Sequence, residues 1–299
     1  MFQGSMVAIV TPMNTDGSVD KQSLCDLVEW HISSKTEGLI VAGTTGEGAT
    51  LTDAEQLDVI STVLKQVKKR IPVIAGTGSN GTHHTIELTL QAKKAGVDGC
   101  LIVTPYYNKP PQNGLYEHYK AVAEKCAVPI ILYNVPGRTC CDLLPETIER
   151  LAKIQNIIGI KEATGKLDRA QEIQKLCGPQ FEIYSGDDAT SMDLMLNGAH
   201  GVISVTANVA PAKMAELCKA ALSGDRQTAE KINAELMPLH TKLFVEANPI
   251  PVKWVLHEMG RIPSGIRLPL VPLNSRFHED LHKAMQSAGI QKSKIATLT

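Results

Sequence analysis

The chain has 299 residues, of which 43% are hydrophobic and 20% are charged, and its formal net charge is −1. This length suits one large domain, and a nearly neutral protein has no field that would draw it to nucleic acid or to anionic lipid. No apolar run approaches the roughly 18 residues that a membrane helix needs, so the sequence predicts no membrane segment and favours small-molecule partners.

The first residues and the cysteines indicate a reducing compartment. The chain starts without the basic segment and cleavage site of a secretory signal, and residues 6–10 have the pattern of a buried first strand. The seven cysteines are scattered, odd in number and without a Cys-x-x-Cys pair, unlike a disulfide framework. We therefore expect reduced thiols in a cytoplasmic protein.

Short apolar runs rich in β-branched residues alternate along the chain with helical stretches. Each run is nearly continuous, as in parallel strands whose two faces are both covered, and each interval has room for one helix. Eight strands are predicted, at residues 6–10, 39–42, 73–75, 100–103, 130–133, 157–161, 182–184 and 201–205. Eight such strand and helix units predict an α/β fold, a (β/α)8 TIM barrel.

Local signals mark several helix ends, and the pattern changes near residue 225. Thr52 with Glu55 predicts a capping box, Pro145 suits a first helical position, and Gly96 suits a helix stop. Beyond residue 225 the sequence predicts amphipathic helices without strands, at residues 229–243, 251–259 and 277–288. We expect a catalytic barrel over residues 1–224 and a C-terminal helical extension over residues 225–299, packed on the barrel.

The carboxyl ends of the predicted strands carry hydroxyls, an arginine and a lysine, and in a (β/α)8 barrel these ends form the active site. Lys161 ends its strand, and alternation places it on the same face as Gly159 and Ile157. Burial disfavours the charged ammonium, and a neutral amine is the nucleophile that forms an imine. A lysine that reaches solvent or pairs with an acid at a strand end is an equally open interpretation.

Other polar residues at strand ends have both a functional and a structural interpretation. Tyr133 ends the preceding strand, so a parallel arrangement would bring its phenol beside Lys161, although a lone tyrosine is more often structural. Arg138 follows on a Pro-Gly loop and offers a forked donor either for a substrate carboxylate or for a surface ion pair. Thr44 and Thr45 could hold a ligand or cap the next turn.

Four segments together closely resemble the dihydrodipicolinate synthase family. They are Gly-Thr-Thr-Gly-Glu at residues 43–47, Tyr-Asn-Val-Pro-Gly-Arg-Thr at 133–139, Gly-Ile-Lys-Glu-Ala-Thr at 159–164 and Asn-Pro-Ile-Pro-Val-Lys at 248–253. The resemblance implies a (β/α)8 barrel that condenses pyruvate with aspartate 4-semialdehyde to 4-hydroxy-tetrahydrodipicolinate, the committing step of diaminopimelate and lysine biosynthesis. It implies neither a cofactor nor a metal.

The resemblance also implies a role for each matching residue. A lysine would form the Schiff base, hydroxyl groups would relay protons, and two further side chains would hold the substrate carboxylates. One tyrosine of the relay would reach in from a neighbouring subunit. The implied site consists of the Schiff-base lysine Lys161, the relay residues Thr44, Tyr133 and the intersubunit Tyr107, the carboxylate ligands Thr45 and Arg138, and the backbone of Gly186 and Ile203.

A homo-oligomer and a regulatory site are implied in the same way. Family members are commonly tetramers built from tight dimers, and the pair Tyr106 and Tyr107 suits such a contact. Many members are inhibited by lysine at the dimer interface, where the family pattern matches Ala49, Asn80 and Tyr106. These positions, with His84, form the possible allosteric site.

The lysine response of this chain is in doubt because His84 stands where inhibited enzymes have an acidic residue. A histidine cannot offer the carboxylate that would neutralise the ammonium of the ligand. Asp53 and Gln56 also replace expected histidines. Glu87, one helical turn beyond His84, could substitute for the missing acid. The sequence predicts weak or absent inhibition by lysine.

Three other functions have partial support in the sequence. The glycines at residues 76, 78 and 81 match the G-x-G-x-x-G of NAD-binding enzymes, but the next strand lacks the acidic end that a ribose needs. His278 and His282 match the zinc motif H-E-x-x-H, but no later residue supplies a third ligand, so a zinc site would need a ligand from upstream, which a zinc assay tests. N-acetylneuraminate lyase, a related pyruvate-dependent aldolase, is the closest alternative, and Arg138 argues for a short carboxylate substrate instead.

Overall fold

The computed structural model describes residues 2–292, which contain a closed barrel of eight parallel strands. The strands are hydrogen-bonded in chain order, and β8 closes the barrel onto β1. Their bounds are β1 Gly4–Ala8, β2 Gly38–Val41, β3 Val73–Gly76, β4 Gly99–Val103, β5 Ile130–Asn134, β6 Ile157–Glu162, β7 Glu182–Ser185 and β8 Gly201–Ser204. The predicted (β/α)8 TIM barrel is confirmed.

Helices follow the strands around the barrel and continue beyond it. Eight of them lie between consecutive strands, and the other four follow β8. The bounds are α1 Lys21–Ser33, α2 Asp53–Val67, α3 Thr82–Ala95, α4 Gln112–Cys126, α5 Pro136–Thr139, α6 Pro145–Ala152, α7 Leu167–Cys177, α8 Ser191–Leu196, α9 Pro211–Leu222, α10 Arg226–Lys242, α11 Ile250–Glu258 and α12 His278–Ser287.

The predicted helix signals are present in the structure. Thr52 and Glu55 form the reciprocal capping box at the start of α2, and Pro145 is the first residue of α6. Gly96 ends α3 with φ of +98°, a left-handed conformation that glycine adopts without a steric penalty. These local signals therefore give helix ends correctly because they depend on neighbours in sequence.

The predicted first strand was displaced by two residues, since β1 spans Gly4–Ala8 and not residues 6–10. Ile9 still donates to the carbonyl of Ile40, but the N–H of Val10 donates to the side chain of Asn208 at 3.1 Å. A side chain distant in sequence thus takes the hydrogen bond that would extend the strand, and periodicity alone could not reveal this partner.

One apolar layer lies on each side of the barrel wall. The outer layer packs the strands against the helices. The inner layer fills the bore with one or two side chains from most strands, as expected for a packed barrel of this size. Its members are Met6, Ala8, Ile40, Ile74, Leu101, Ile131, Tyr133, Tyr184 and Ile203.

Helices α10 to α12 continue the chain beyond the barrel. Helix α10 packs against α9 and α12, and α11 approaches the turn Thr206–Asn208 that follows β8. Within residues 2–292, every helix is too short or too polar to cross a lipid bilayer. Helix α11 therefore lies close to the carboxyl end of β8, where it can support the loops of a site.

Candidate active site

Lys161 and Tyr133 meet inside the upper end of the bore. They are direct partners in the register of β5 and β6, and strand alternation turns both side chains inward. The Lys161 Nζ lies 4.5 Å from the centre of the Tyr133 ring, and the two residues are only 5% and 7% exposed. The lysine is therefore buried among ring and hydrocarbon atoms, and within residues 2–292 it has no ion-pair partner. The solvent-exposed alternative is wrong.

Gly186 forms the wall of the bore on the other side of Lys161. A Cβ at this position would lie 2.9 Å from the Lys161 Cε and 2.6 Å from the Cβ of Ala163. Its N–H donates to the carbonyl of Glu162 at 2.8 Å, which fixes the backbone there. Glycine is required because the backbone approaches the lysine side chain closely. Ile203, 1% exposed, belongs to the same inner layer.

The loop after β2 carries the two candidate threonines in different surroundings. Thr44 is exposed, whereas Thr45 is 2% exposed and its Oγ1 accepts a hydrogen bond of 2.9 Å from the Asn248 Nδ2. The carbonyl of Asn248 in turn accepts a bond of 3.4 Å from Arg138 Nη2. Asn248 thus connects the two residues assigned to the substrate carboxylates, a role that sequence reasoning missed. The available signal for this role was the Asn-Pro pair at residues 248–249, which belongs to one of the segments that resemble the family.

A buried ion pair supports the loop after β2. Glu47 and Lys253, 3% and 4% exposed, pair directly, and Glu47 has a left-handed backbone with φ of +56°. Burial lowers the pKa of the Lys253 ammonium, and the charge of Glu47 opposes that shift. The backbone N–H of Arg267 donates to Glu47, and its guanidinium makes a bidentate hydrogen bond to Glu55. The hydrogen bonds to Glu55, chiefly those from Arg267, lower the pKa of the Glu55 carboxyl to about 2. Side chains of the C-terminal region therefore hold the loop.

Arg138 and Tyr107 occupy exposed loops at the carboxyl ends of the strands. Arg138 lies in the short helix α5 and is exposed. Tyr107 is 88% exposed and has φ of +75°, a strained backbone for a large side chain. In the single chain Tyr107 is therefore not packed in the bore beside Lys161. A strained, exposed tyrosine is typical of a residue that a second molecule covers.

The possible allosteric residues lie in separate segments: Ala49 precedes α2, Asn80 precedes α3, His84 is in α3 and Tyr106 follows β4. The carbonyl of Asn80 accepts a hydrogen bond of 2.8 Å from Asn108, two residues beyond Tyr106. His84 Nε2 lies 3.1 Å from the carboxylate of Asp53, near the exposed Ala49. Glu87 instead pairs with His83 at 3.3 Å. The only acid that the structure places against His84 is thus Asp53, within the described part of the chain.

The competing motifs have structural explanations. His278 and His282 both pack on Trp254, with ring centres 4.4 and 4.9 Å from the Trp254 ring. Their Nε2 atoms have separate partners, the carbonyl of Leu273 at 3.4 Å for His278 and the carboxylate of Glu258 at 2.8 Å for His282. Across residues 2–292 no cluster of three potential metal ligands is present. Asp98 uses its carboxylate to accept from the N–H of Val73, at the start of β3. It lies at the end of the barrel opposite to a nucleotide site at the strand carboxyl ends.

Comparison with known proteins decides the family. The Dihydrodipicolinate synthetase family matches residues 1–288. The chain belongs to this family. The 4-hydroxy-tetrahydrodipicolinate synthase of Alcanivorax borkumensis is 59% identical over 294 residues, which cover 98% of this chain and 100% of the relative. The enzyme of the same name from Pseudomonas aeruginosa is 58% identical over 290 residues, 97% of this chain and 99% of the relative.

The fold agrees with solved structures of the family. A chloride-inhibited dihydrodipicolinate synthase from Acinetobacter baumannii, solved in complex with pyruvate, superposes with a TM-score of 0.96 and 54% identity. The match covers 97% of this chain and 100% of that chain. The barrel and its C-terminal helices therefore form one shared architecture along nearly the whole length.

Proposed function

We propose that the protein is a 4-hydroxy-tetrahydrodipicolinate synthase, a lyase that condenses pyruvate with L-aspartate 4-semialdehyde and so commits carbon to diaminopimelate and lysine. The observation that carries the proposal is the burial of Lys161 against Tyr133 in the mouth of the bore. Relatives near 58% identity that bear this enzyme name support the substrate assignment.

The chemistry begins with attack of the Lys161 amine on the keto carbon of pyruvate. Loss of water gives an imine, and the protonated imine nitrogen accepts the electron pair that remains when a methyl proton leaves. The resulting neutral enamine adds through its carbon to the aldehyde of the second substrate. Lys161 is placed for the first step because its amine lies inside the mouth of the bore beside the Tyr133 ring.

Hydroxyl groups move the protons in these steps. Tyr133 contacts Lys161 directly, Thr44 follows β2 at the same end of the barrel, and Tyr107 of the partner subunit completes the relay. Positioned phenols and hydroxyls contribute by general acid and base catalysis, which is typically worth about 10²- to 10⁴-fold in rate. The relay therefore depends on an oligomer.

Two carboxylates are held by different groups. The hydroxyl and N–H of Thr45 hold the carboxylate of pyruvate, and Arg138 holds that of the semialdehyde with its forked guanidinium. The backbone of Gly186 and Ile203 surrounds the imine. An arginine clamp favours a short substrate with a carboxylate over a sugar acid, whose many hydroxyls need other donors.

The test is a coupled assay with pyruvate and aspartate semialdehyde, run beside cleavage of N-acetylneuraminate. The proposal predicts saturable condensation and no cleavage of the sugar acid. Efficient N-acetylneuraminate cleavage without condensation would instead assign the protein to the lyase alternative, and the same Lys161 would serve a different substrate.

A homotetramer built from tight dimers is part of the proposal, as is a division into a barrel of residues 1–224 and an extension of residues 225–299. The exposed Tyr106 and Tyr107, 38% and 88% exposed, support a subunit contact at the mouth of the barrel. Pyruvate and aspartate semialdehyde are the small-molecule partners.

We also propose that lysine inhibits this enzyme weakly or not at all. His84 replaces the expected acid, Glu87 is paired with His83, and the carboxylate of Asp53 is bonded to His84 itself. Initial rates with millimolar lysine should therefore fall little or not at all. A saturable loss of activity at or below that concentration would show that Asp53 or another acid receives the ligand.

A further inference from the structure

Behind the two catalytic strand ends lies a closed cycle of hydrogen bonds, which we call the outer network. It has four members and lies on the side of the barrel wall that faces the helices. Its members directly follow, or lie close to, the residues assigned to catalysis and binding. The outer network consists of Asn134, Asp142, Glu162 and Arg169.

The first two members are register partners one position beyond the catalytic pair. Asn134 follows Tyr133, Glu162 follows Lys161, and Asn134 pairs with Glu162 as Tyr133 pairs with Lys161. Because side chains alternate along a strand, these two point outward where the catalytic pair points inward. Asn134 and Glu162 are 0% and 2% exposed, and Asn134 Nδ2 donates to Glu162 Oε2 at 3.2 Å.

Arg169 on α7 closes the cycle. Its Nε donates to Glu162 Oε2 at 3.1 Å, while Nη1 and Nη2 hold the two oxygens of Asp142 at 3.0 and 2.8 Å. Asn134 Nδ2 donates to Asp142 Oδ1 at 2.9 Å. One guanidinium thus bridges two carboxylates with three N–H groups in a fixed plane, which a lysine ammonium cannot reproduce.

The outer network also holds the C-terminal end of the segment that contains Arg138. Asn134 Oδ1 accepts from the N–H of Leu143 at 3.0 Å, and Arg169 also donates to the carbonyl of Leu143. The segment between Asn134 and Leu143 contains α5 and therefore Arg138. Both ends of that segment are consequently tied to the strand that carries Tyr133.

We infer that Arg169, with Glu162 and Asp142, is a positioning residue for the reaction proposed above, acting through Lys161 and Arg138 and not on substrate. Its Glu162 branch sets the relative placement of Lys161 and Tyr133, and its Asp142 branch sets the loop of Arg138. Such surrounding groups matter because displacing a reacting group by about 1 Å can cost about 100-fold in rate. The inference rests on the proposed function.

Amide substitutions separate the two branches. Within residues 2–292, the Glu162 carboxylate accepts hydrogen bonds from three donors, the Thr164 N–H, Asn134 Nδ2 and Arg169 Nε. In Glu162→Gln an NH₂ group replaces one carboxylate oxygen, so a donor would face donors and at least one of these hydrogen bonds would be lost. The partners of Asp142 Oδ1 and Oδ2, Asn134 Nδ2 and Arg169, are donors too, and Asp142→Asn has the same defect. Both substitutions keep the size of the side chain.

The experiment measures three quantities for each variant: the rate at which pyruvate forms the borohydride-trapped imine, kcat, and the KM for the semialdehyde. We expect Glu162→Gln to slow imine formation and kcat roughly 10- to 100-fold, and Asp142→Asn to raise the semialdehyde KM roughly 10-fold or more with imine formation nearly unchanged. Arg169→Lys, which keeps the charge, should show both defects.

The matched control is Arg70→Lys. Arg70 makes a bidentate ion pair with Glu29 on the exposed surface, where the two side chains are 40% and 45% exposed, so the same chemical change there should leave all three quantities unchanged. Variants that lose thermal stability but keep wild-type imine formation, kcat and KM would overturn the inference. If the unsubstituted protein forms no imine, the proposed function fails instead, which is a distinct result.

If the carboxylate variants do not fold, Arg169→Lys decides alone. A folded Arg169→Lys protein with unchanged kinetics would then contradict the inference, and one with slowed imine formation and a raised semialdehyde KM would support it. Circular dichroism and the elution volume on gel filtration establish that the variant is folded before its kinetics are interpreted.

Discussion

At Gly186 the barrel wall has no space for a methyl group. The added Cβ of Gly186→Ala would lie 2.9 Å from Lys161 Cε and 2.6 Å from the Cβ of Ala163, so either the lysine or the wall must move. We predict at least a roughly 10-fold slower formation of the imine with pyruvate, because small displacements of a reacting group are costly. Single-turnover trapping with borohydride measures this rate.

The control for that change is Gly81→Ala. No atom lies within 4 Å of the Cβ added at Gly81, and φ there is −115°, which alanine adopts freely. Trapping rates should therefore match those of the unsubstituted protein. Equal trapping rates for Gly186→Ala and the unsubstituted protein would show that the barrel wall shifts without moving Lys161. The close packing of Gly186 against Lys161 would then have no catalytic role.

Single residues were predictable from sequence where a local rule applies. Alternation along β6 predicts Lys161 on the same face as Gly159, and the order of parallel strands predicts Tyr133 beside it. The prediction that Ile157 shares this face was wrong, because the register of β5 with β6 shifts between Ile130 and Ile131 and Ile157 packs in the outer layer. Asn248 was not predictable from local pattern, because its bond to Thr45 joins residues 203 positions apart. The steric need for glycine at Gly186 likewise arises from the approach of two strands and appears only in coordinates.

At the scale of elements, the buried pair of Glu47 and Lys253 joins the loop after β2 to α11. Replacing Lys253 with methionine removes the partner of a carboxylate that is 3% exposed. We predict that Lys253→Met lowers the free energy of unfolding by about 3–5 kcal/mol, since an unpaired buried charge is strongly unfavourable. Urea unfolding followed by circular dichroism measures the change.

An exposed pair provides the comparison. Lys213 and Glu235 have side chains 32% and 42% exposed, so Lys213→Met should cost less than about 1 kcal/mol. Adding Glu47→Gln to Lys253→Met should recover part of the loss because the unpaired charge is gone. Similar losses for the Lys253 and Lys213 variants would contradict the structural importance of the buried pair.

Element types were predictable to a large extent, and their exact ends less so. All eight strands follow from apolar runs and all three C-terminal helices from amphipathic periodicity, because both patterns are local. The end of β1 was wrong because the side chain of Asn208 satisfies the N–H of Val10. A tertiary hydrogen bond of this kind does not change the pattern of apolar residues in the first strand, so the sequence does not reveal it.

At the scale of the whole molecule, the proposed relay requires Tyr107 to act in a neighbouring subunit. Co-expression of Lys161→Ala and Tyr107→Phe subunits tests this directly. In a mixed dimer, one site combines an intact Lys161 from the second subunit with an intact Tyr107 from the first. We predict activity well above that of either variant alone, each of which should lose roughly 100-fold or more.

Separately purified and mixed oligomers can be distinguished with two affinity tags. If the mixed oligomers have only the average activity of the two parents, Tyr107 does not serve a neighbouring site. The closed barrel was predictable from eight repeated units, whereas the subunit arrangement was not, because one chain shows only that Tyr107 is exposed and strained.

The proposed reaction depends on an imine between the buried amine of Lys161 and pyruvate. The most direct measurement is reduction of the protein with borohydride in the presence of pyruvate, followed by peptide mass spectrometry. We expect a single reduced pyruvate adduct on Lys161, absent without pyruvate and absent in Lys161→Ala. An adduct on another lysine, or undiminished labelling of the Lys161→Ala protein, would contradict it.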